Sequence, residues 1–409
     1  SSYTLYAVWQ INQYTITLEL NGGTASKNSI TQDYNSVVDS PVATRSGYDF
    51  VEWYADSDFA VVYNFSTMPA ENITVYAKWQ LDTTYTGEIG IRNIQELQAI
   101  NKHLSGKFYL ENDIDANGFK FTPLGSRETP FFGAFDGKNK TIIDLSISGK
   151  FTYVGLFGYS QVPIKNVWLN NANYDIEATN VGGIIGYTIA SVENCHWVGI
   201  IRSTNATIGG IVGYGINVSR CSVDGSISTL NTLVNVGGIA GLVAIVDNCY
   251  CNINIGTRSS IYVSNPSFYK NTYVGGYIAA EATTITNSLV TSKSSYYMSV
   301  YNNTANTYIN ASRLVRKGTI ENSFMVSNGS GDNIISLNDV KSRAIMTSKY
   351  GWSTDIWCFG YDYPVLYGND YIKVNYSGVD GLKNDNNPDG YKKNSDGFVL
   401  SSVVKDGYT

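Results

Sequence analysis

Charge is scarce in this chain. Lys, Arg, Asp and Glu make up 15% of 409 residues, and between positions 151 and 300 six basic residues balance six acidic ones. Such a stretch cannot neutralise a run of phosphates, which excludes nucleic acid as a partner. Histidine is scarcer still: only His103 and His196 occur, neither with a Ser, Cys or Asp at a motif spacing. The His-Glu-x-x-His signature of zinc proteases is absent. No run of about 18 apolar residues and no basic amphipathic helix is present, so no membrane contact by this segment is expected. Paired Cys-x-x-Cys clusters are missing too, which removes the usual zinc site.

What the sequence does have is a repeat. Gly155-Leu-Phe-Gly158 returns as Gly183-Ile-Ile-Gly186, Gly210-Ile-Val-Gly213, Gly238-Ile-Ala-Gly241 and a weaker Gly276-Tyr-Ile-Ala279, with first glycines 28, 27, 28 and 38 residues apart. A second mark follows each, an apolar residue two before an Asn and a small residue: Ile164-Lys-Asn166-Val167, Val192-Glu-Asn194-Cys195, Val218-Ser-Arg220-Cys221, Val246-Asp-Asn248-Cys249 and Ile285-Thr-Asn287-Ser288. A sixth copy, Ile320-Glu-Asn322-Ser323, lacks the glycine phrase. A fixed period of roughly 20 to 50 residues means one unit stacked on the next. Within a unit, short Val- and Ile-rich runs alternate with Gly, Asn, Ser and Thr, the pattern of strands and turns. Each unit therefore reads as one coil of a parallel β-solenoid, with equivalent residues ~4.8 Å apart.

That register makes specific expectations. Cys195, Cys221 and Cys249 form an interior column of free thiols flanked by Val167 and Ser288, because buried Cys acts as a small hydrophobe. Asn166, Asn194, Asn248 and Asn287 stack at a turn, interrupted by Arg220. The Gly-x-x-Gly positions mark bends where a side chain would strike the next coil. Tyr159, Tyr187 and Tyr214, continued by Leu242, form a stripe. Alternation is ambiguous near glycine bends, and interior packing is the reading taken for it.

The chain divides by composition. Residues 1–10 read as the end of a preceding repeat, since Tyr3 to Gln10 echoes Ile73 to Gln80 at an offset of 70. Residues 11–80 form a small β domain, and 81–90 a linker. Residues 91–150 hold the N-terminal cap and first coils, with a helix over 94–104 that Asn93 and Glu96 start as a capping box. Residues 151–330 are the repeats and 331–370 a C-terminal cap with a short helix over 337–346. Residues 371–409 begin a further unit, Asp406-Gly-Tyr-Thr409 matching Ser46-Gly-Tyr-Asp49.

Two resemblances follow from these residues. Asn21-Gly22-Gly23, Ser46-Gly47-Tyr48, Glu52-Trp53-Tyr54 and Val75-Tyr-Ala-Lys-Trp79 resemble the internalin-type B repeat, the Listeria–Bacteroides repeat family, with Glu52 where that repeat usually has Gly. Residues 91–366 resemble a GLUG-motif domain, through Tyr109 to Asp115, Phe132 to Gly137, the Gly-x-x-Gly series and Tyr363-Pro-Val-Leu366. Together they imply a mainly β chain: a β-grasp-like small domain, then a right-handed parallel β-helix with a helical N-terminal cap. They imply a secreted, wall-associated bacterial adhesin or stalk without catalysis, which binds a host or cell-surface protein or glycan and abuts neighbouring repeats of its own chain. A polysaccharide-active β-helix enzyme and the scaffold of a larger surface protease are the alternatives.

Candidate sites are few. Glu193 and Asp247 share a register with Ser219 between them, about 10 Å apart, and read as a solvated turn face. Asp113, Asp115, Asn117 and Gly118 open like a calcium loop but end on Leu124, so a strand and turn are expected. Asp385, Asn387, Asp389, the Tyr391 carbonyl and Asp396 match the oxygen pattern of a calcium loop better. Pro388 constrains it and no helices flank it, so a solvated loop is the competing reading. Calcium there would be structural, and no other cofactor is expected. The long unit at 255–315 carries Tyr262, Tyr269, Tyr273, Tyr296, Tyr297, Tyr301 and Tyr308. Insertions in a solenoid map to one face, often the binding face, which makes these tyrosines the candidate ligand contacts.

Overall fold

The computed structural model describes residues 6, 8–204, 206–229, 235–257, 261–262, 275–276, 278–291, 295–302, 305–309, 314–326, 333–359, 364–366, 371–373 and 390–392. The chain forms two compact units, Ser1–Gly90 and Ile91–Thr409.

The first unit is a four-stranded mixed sheet. Its strands are β1 (Gln13–Glu19), β2 (Ser29–Asp33), β3 (Tyr48–Tyr54) and β4 (Ile73–Leu81), in the order β2-β1-β4-β3. The central pair is parallel, with Ile16 opposite Ile73 and Leu18 opposite Val75, and the outer pairs are antiparallel. Alternation puts Ile16, Leu18, Trp53, Val75 and Ala77 on one buried face, with Met68 beside them. The Asn21-Gly22 turn needs left-handed backbone, with φ of 47° and 87°, which these two residue types tolerate. The Asn21 amide then donates to Ala77 O and the Trp79 indole to Leu20 O, fastening the turn to β4.

The second unit is a parallel β-solenoid. Three ladders run along it. Ladder 1 is short: Tyr153–Val154, Asn180–Gly182, Thr207–Gly209, Val236–Gly237 and Gly275–Gly276. Ladder 2 follows the glycine phrase: Phe157–Ser160, Ile185–Thr188, Val212–Ser219, Ala240–Asp247, Ala279–Thr286 and Val315–Glu321. Ladder 3 follows the Asn corner: Ile164–Glu177, which runs through the corner, then His196–Thr204, Ser222–Thr229, Tyr250–Thr257, Leu289–Val290 and Phe324–Val326.

In the first four repeats the residue after the first glycine carries the core, and Ile278 and Leu314 continue it. Leu156, Ile184, Ile211, Ile239, Ile278 and Leu314 form one buried column. Backbone N–H groups of Ile184, Ile211, Ile239 and Ile278 each donate to the carbonyl one coil on, at 2.8–3.1 Å. Ile278 follows Ile239 by 39 residues, and Gly276 pairs with Gly237 rather than Gly238, so the fifth glycine phrase lies one residue out of the register read from the sequence. A side chain on Gly210 would strike the following coil at Gly238 O, and one on Gly213 the preceding coil at Gly186 O. The bends are therefore tight in both directions, as the sequence led us to expect.

The helix at the N-terminal end is shorter than expected. It spans Ile94–Ala99 and tightens to a 3-10 turn at Ile100–Lys102. Asn93 Oδ1 accepts from Glu96 N at 2.9 Å as predicted, but the Glu96 carboxylate reaches back to Arg92 N rather than Asn93 N. The chain turns at Gly106 into the strand Lys107–Leu110, which leaves Leu104 outside the helix. At the other end the expected helix is two, Leu337–Lys341 and Arg343–Ser348, capped by Ser336 and Ser342. Ser342 takes extended backbone (φ −76°, ψ 107°) to cap the second, and that breaks the run. Trp352 and Trp357 stack at 4.4 Å within a cluster containing Leu289, Phe324, Val340 and Met346.

Candidate functional site

Each coil turns at the repeat's second mark, and the turn has a backbone reason. Asn166, Asn194, Arg220, Asn248, Asn287 and Asn322 all adopt left-handed φ, between 45° and 58°. Asn is the side-chain-bearing residue that visits this region most readily. Arg220 occupies the same conformation without that advantage. Along the first coils the amides also bond axially: Asn166 Nδ2 donates to Asp136 Oδ1 and Asn194 Nδ2 to Asn166 Oδ1, both at 2.8 Å. Partial burial pushes the Asp136 carboxyl up. The Asn166 amide, the Lys138 N–H and the charges of Lys165 and Lys138 outweigh it, so its pKa lies below the usual carboxylate value.

The residue after the corner points inward. Cys195, Cys221 and Cys249 are buried and unbridged, followed in the same column by Ser288 and Ser323. All five do one job. Each side chain donates to the carbonyl two residues before it: Glu193, Ser219, Asp247, Thr286 and Glu321. The backbone N–H of Cys195 donates to Cys221 Sγ, that of Cys249 to Ser288 Oγ and that of Ser288 to Ser323 Oγ. The thiols thus act as hydroxyl equivalents within the turn. Burial pushes the Cys195 and Cys221 thiols well up, away from the nucleophilic thiolate.

His196 lies beside them but makes no pair with Cys195. Its Nδ1 shares a short hydrogen bond with the Ser222 hydroxyl, and its ring packs on Trp168 with centroids 4.0 Å apart. Its Nε2 is buried without a partner. Burial lowers the ring to about 3, so it is neutral at pH 7.

The turn carboxylates sit where the sequence places them. Lys165, Glu193, Ser219, Asp247, Thr286 and Glu321 occupy successive coils of one register. Glu193 pairs with Arg220. Asp247 accepts from Asn248 Nδ2, Thr286 Oγ1 and Asn287 Nδ2 at 2.6–3.1 Å. Asp113 and Asp115 likewise accept from backbone, at Thr141 N and Asn117 N, and Leu124 is buried. That segment is a strand and turn. Among the described residues no cluster of three or more His, Cys, Asp or Glu could hold a metal ion.

The tyrosine stripe is the correction. Interior packing is the sequence reading; the structure puts these rings on the outer side of ladder 2. Tyr159, Tyr187 and Tyr214 occupy one register, continued by Leu242 and Glu281. Tyr159 and Tyr187 are partly exposed and Tyr214 is 36% exposed, whereas core positions are nearly sealed. Neighbouring rings stack at 5.1 Å and 4.6 Å, within 12° of parallel, and Tyr153 joins from ladder 1 at 5.3 Å from Tyr187. The glycine before each tyrosine takes the inward position, so alternation turns the ring out. Partial burial and the neighbouring Tyr214, Tyr159 and Tyr153 push the Tyr187 phenol up.

Beside the stripe, Ile189, Ile216 and Ile245 stand 47%, 44% and 42% exposed. Where the stripe ends at Tyr214, a groove of about 470 Å³ continues it, lined by Tyr214, Ile216, Leu242, Ala244, Glu281 and Thr283. Sequence reasoning missed the groove. Its signal was the loss of tyrosine from the register after Tyr214, where Leu242 and Glu281 follow.

The other candidate tyrosines fall in the insertion. Tyr262 lies opposite Tyr301 in a parallel pair, Tyr296 opposite Ile255 and Tyr297 opposite Gly256. Tyr308 lies opposite Ser299 in the antiparallel pair of Ser295–Asn302 with Ala305–Ile309. Tyr269 and Tyr273 lie outside the described residues. So do Asp385, Asn387, Asp389 and Asp396 of the calcium-loop candidate, while Tyr391 pairs with Ile372 across two short strands.

Comparison with known proteins gives a family for the first unit. Residues 14–78 match the Listeria-Bacteroides repeat domain. Internalin H of Listeria monocytogenes is 40% identical over 79 residues, 19% of this chain and 14% of that protein. The immunoglobulin A1 protease of Streptococcus sanguinis is 27% identical over 230 residues, 45% of this chain and 12% of that protein. A solved structure of an IgA1 protease aligns at 14% identity with a TM-score of 0.39, covering 76% of this chain and 26% of that one. The chain spans no more than a quarter of the length of the curated relatives it matches.

Proposed function

We propose that this chain is a non-catalytic segment of a bacterial surface protein, a stalk that presents its solenoid to a host or cell-surface protein or glycan. The supporting observation is the pairing of a Listeria-Bacteroides repeat match at residues 14–78 with a solenoid whose coils are joined by in-register backbone bonds. Such a rod gives reach and stiffness, because each coil contacts only its neighbours and buries their edges. The site lies outside the cell, at the wall or surface. The carboxylates that a glycosidase reading would use, Glu193 and Asp247, are engaged in holding the turn. Purified chain, fluorescently labelled, is expected to bind intact host or bacterial cells saturably. Polysaccharide cleavage that disappears in Glu193→Ala or Asp247→Ala would replace the stalk by an enzyme.

A second reading has its own support. The 27% identity to an immunoglobulin A1 protease favours a scaffold region of a larger surface protease, with the scissile chemistry elsewhere. It predicts that the chain binds immunoglobulin A1 without cutting it. A stalk with another ligand leaves the immunoglobulin unbound.

A further inference from the structure

From the outer side of ladder 2 we infer that the groove beside Tyr214 is a binding site for a neutral, extended hexose chain. The inference rests on the surface-presentation reading and specifies its ligand. Three phenol groups, Tyr159, Tyr187 and Tyr214, stack along the axis at 4.6–5.1 Å, and a fourth, Tyr153, packs beside Tyr159 and Tyr187 at 5.8 and 5.3 Å. The described residues supply no hydrogen-bond partner to any of these four hydroxyls. Each can both donate and accept. They form a row of polar tips about one sugar ring apart, and the row runs at Tyr214 into a groove with an apolar floor of Ile216, Leu242 and Ala244.

That combination suits a sugar chain. A hexose has an apolar C–H face and a rim of hydroxyls that donate and accept. Leu242, Ala244 and Ile216 would take the face of one ring and Tyr214 and Thr283 its rim, while the phenol row would take the rims of the rings that follow along the axis. Pockets of this kind, mostly apolar with a few placed polar groups, are the usual form of small-ligand sites. Charge argues the same way. Among the described residues lining the groove, Glu281 is the one carboxylate and no Lys, Arg or His occurs, so a highly charged polymer finds no matching row there. A peptide is less suited. The backbone of ladder 2 is engaged coil to coil, which leaves no open edge for strand addition along this face.

The test is titration of the full chain with cellohexaose and with N-acetylchitohexaose, followed by calorimetry and by saturation-transfer NMR. At least one is expected to bind saturably, with an affinity unchanged by added salt, because no ion pair is formed. The double variant Tyr187→Phe, Tyr214→Phe keeps the rings and the stack but removes two hydroxyls, and is expected to weaken binding at least tenfold. Ala244→Trp fills the floor and is expected to abolish it. Val198→Ser, an exposed position on ladder 3, is expected to bind like the parent. Thermal melts establish that each variant is folded. Absence of saturable binding by both oligosaccharides overturns the inference, as does undiminished binding by the double variant and Ala244→Trp. If neither oligosaccharide binds while the chain still binds cells, the ligand assignment fails and the presentation reading stands.

Discussion

At the scale of single residues, the corner asparagines show why one residue type recurs. The turn demands left-handed backbone, and five of six copies meet the demand with Asn. Arg220 meets it at a steric cost of roughly 1–2 kcal/mol. Its ion pair with Glu193 returns little, because both groups are well exposed and such pairs are worth ~0–1 kcal/mol. Arg220→Asn is therefore expected to be about 1 kcal/mol more stable than Arg220→Ala in urea unfolding. Equal stability of the two variants would contradict the backbone explanation. His196 gives a second prediction. Its folded pKa, about 3, lies below the ordinary imidazole value of 6.5, because burial disfavours the charged ring. In that interval the unfolded chain binds a proton that the folded chain does not, so stability is full above 6.5 and falls as the pH drops towards 3. One pH unit is worth at most ~1.4 kcal/mol. Between pH 6.5 and 5, before most carboxylates titrate, His196→Gln should flatten the decline in the urea midpoint.

At the scale of elements, the sequence carried the coil more clearly than its ends. The Gly-x-x-Gly and Asn-small marks each correspond to a fixed event, a close inter-coil approach and a left-handed corner. Both depend on backbone geometry that few residue types satisfy, and this made them readable. The direction of the tyrosines was not readable. It depends on which side of the bend the second glycine faces, and only the neighbouring coil decides that. The cap helix and the C-terminal helices were also misjudged in length, because the 3-10 turn at Ile100–Lys102 and the extended backbone of Ser342 interrupt them at points that helical periodicity does not mark. Core columns should behave as the structure implies. Ile211→Ala opens a cavity in a sealed column and should cost about 2–5 kcal/mol. The C-terminal segment makes a comparable prediction. Trp357 Nε1 donates to Asn248 Oδ1 and Trp352 Nε1 to Asn322 O, so the segment reaches the corner of two coils. Trp357→Phe leaves the buried amide oxygen without this donor, at about 1–3 kcal/mol. An unchanged melting curve would mean that the segment does not fasten those coils.

At the scale of the whole molecule, the solenoid's stability comes from stacking, and the proposed function from what the stack displays. No described helix is long and apolar enough to cross a membrane. The described residues contain no disulfide; all five cysteines are free and buried. Cohesion between coils therefore depends on register: backbone bonds, the isoleucine column and the thiol–hydroxyl column. The same register brings the tyrosines into a row and sets the spacing of anything bound along them. A one-coil slip would break both at once.

Sulfur anomalous diffraction from crystals of the full chain tests this register most directly. Three peaks for Cys195, Cys221 and Cys249 should fall in a line, with successive peaks ~4.8 Å apart, as adjacent strands require. Scattered peaks, or two sulfurs at bonding distance, would mean that the three segments are not consecutive layers of one wound sheet.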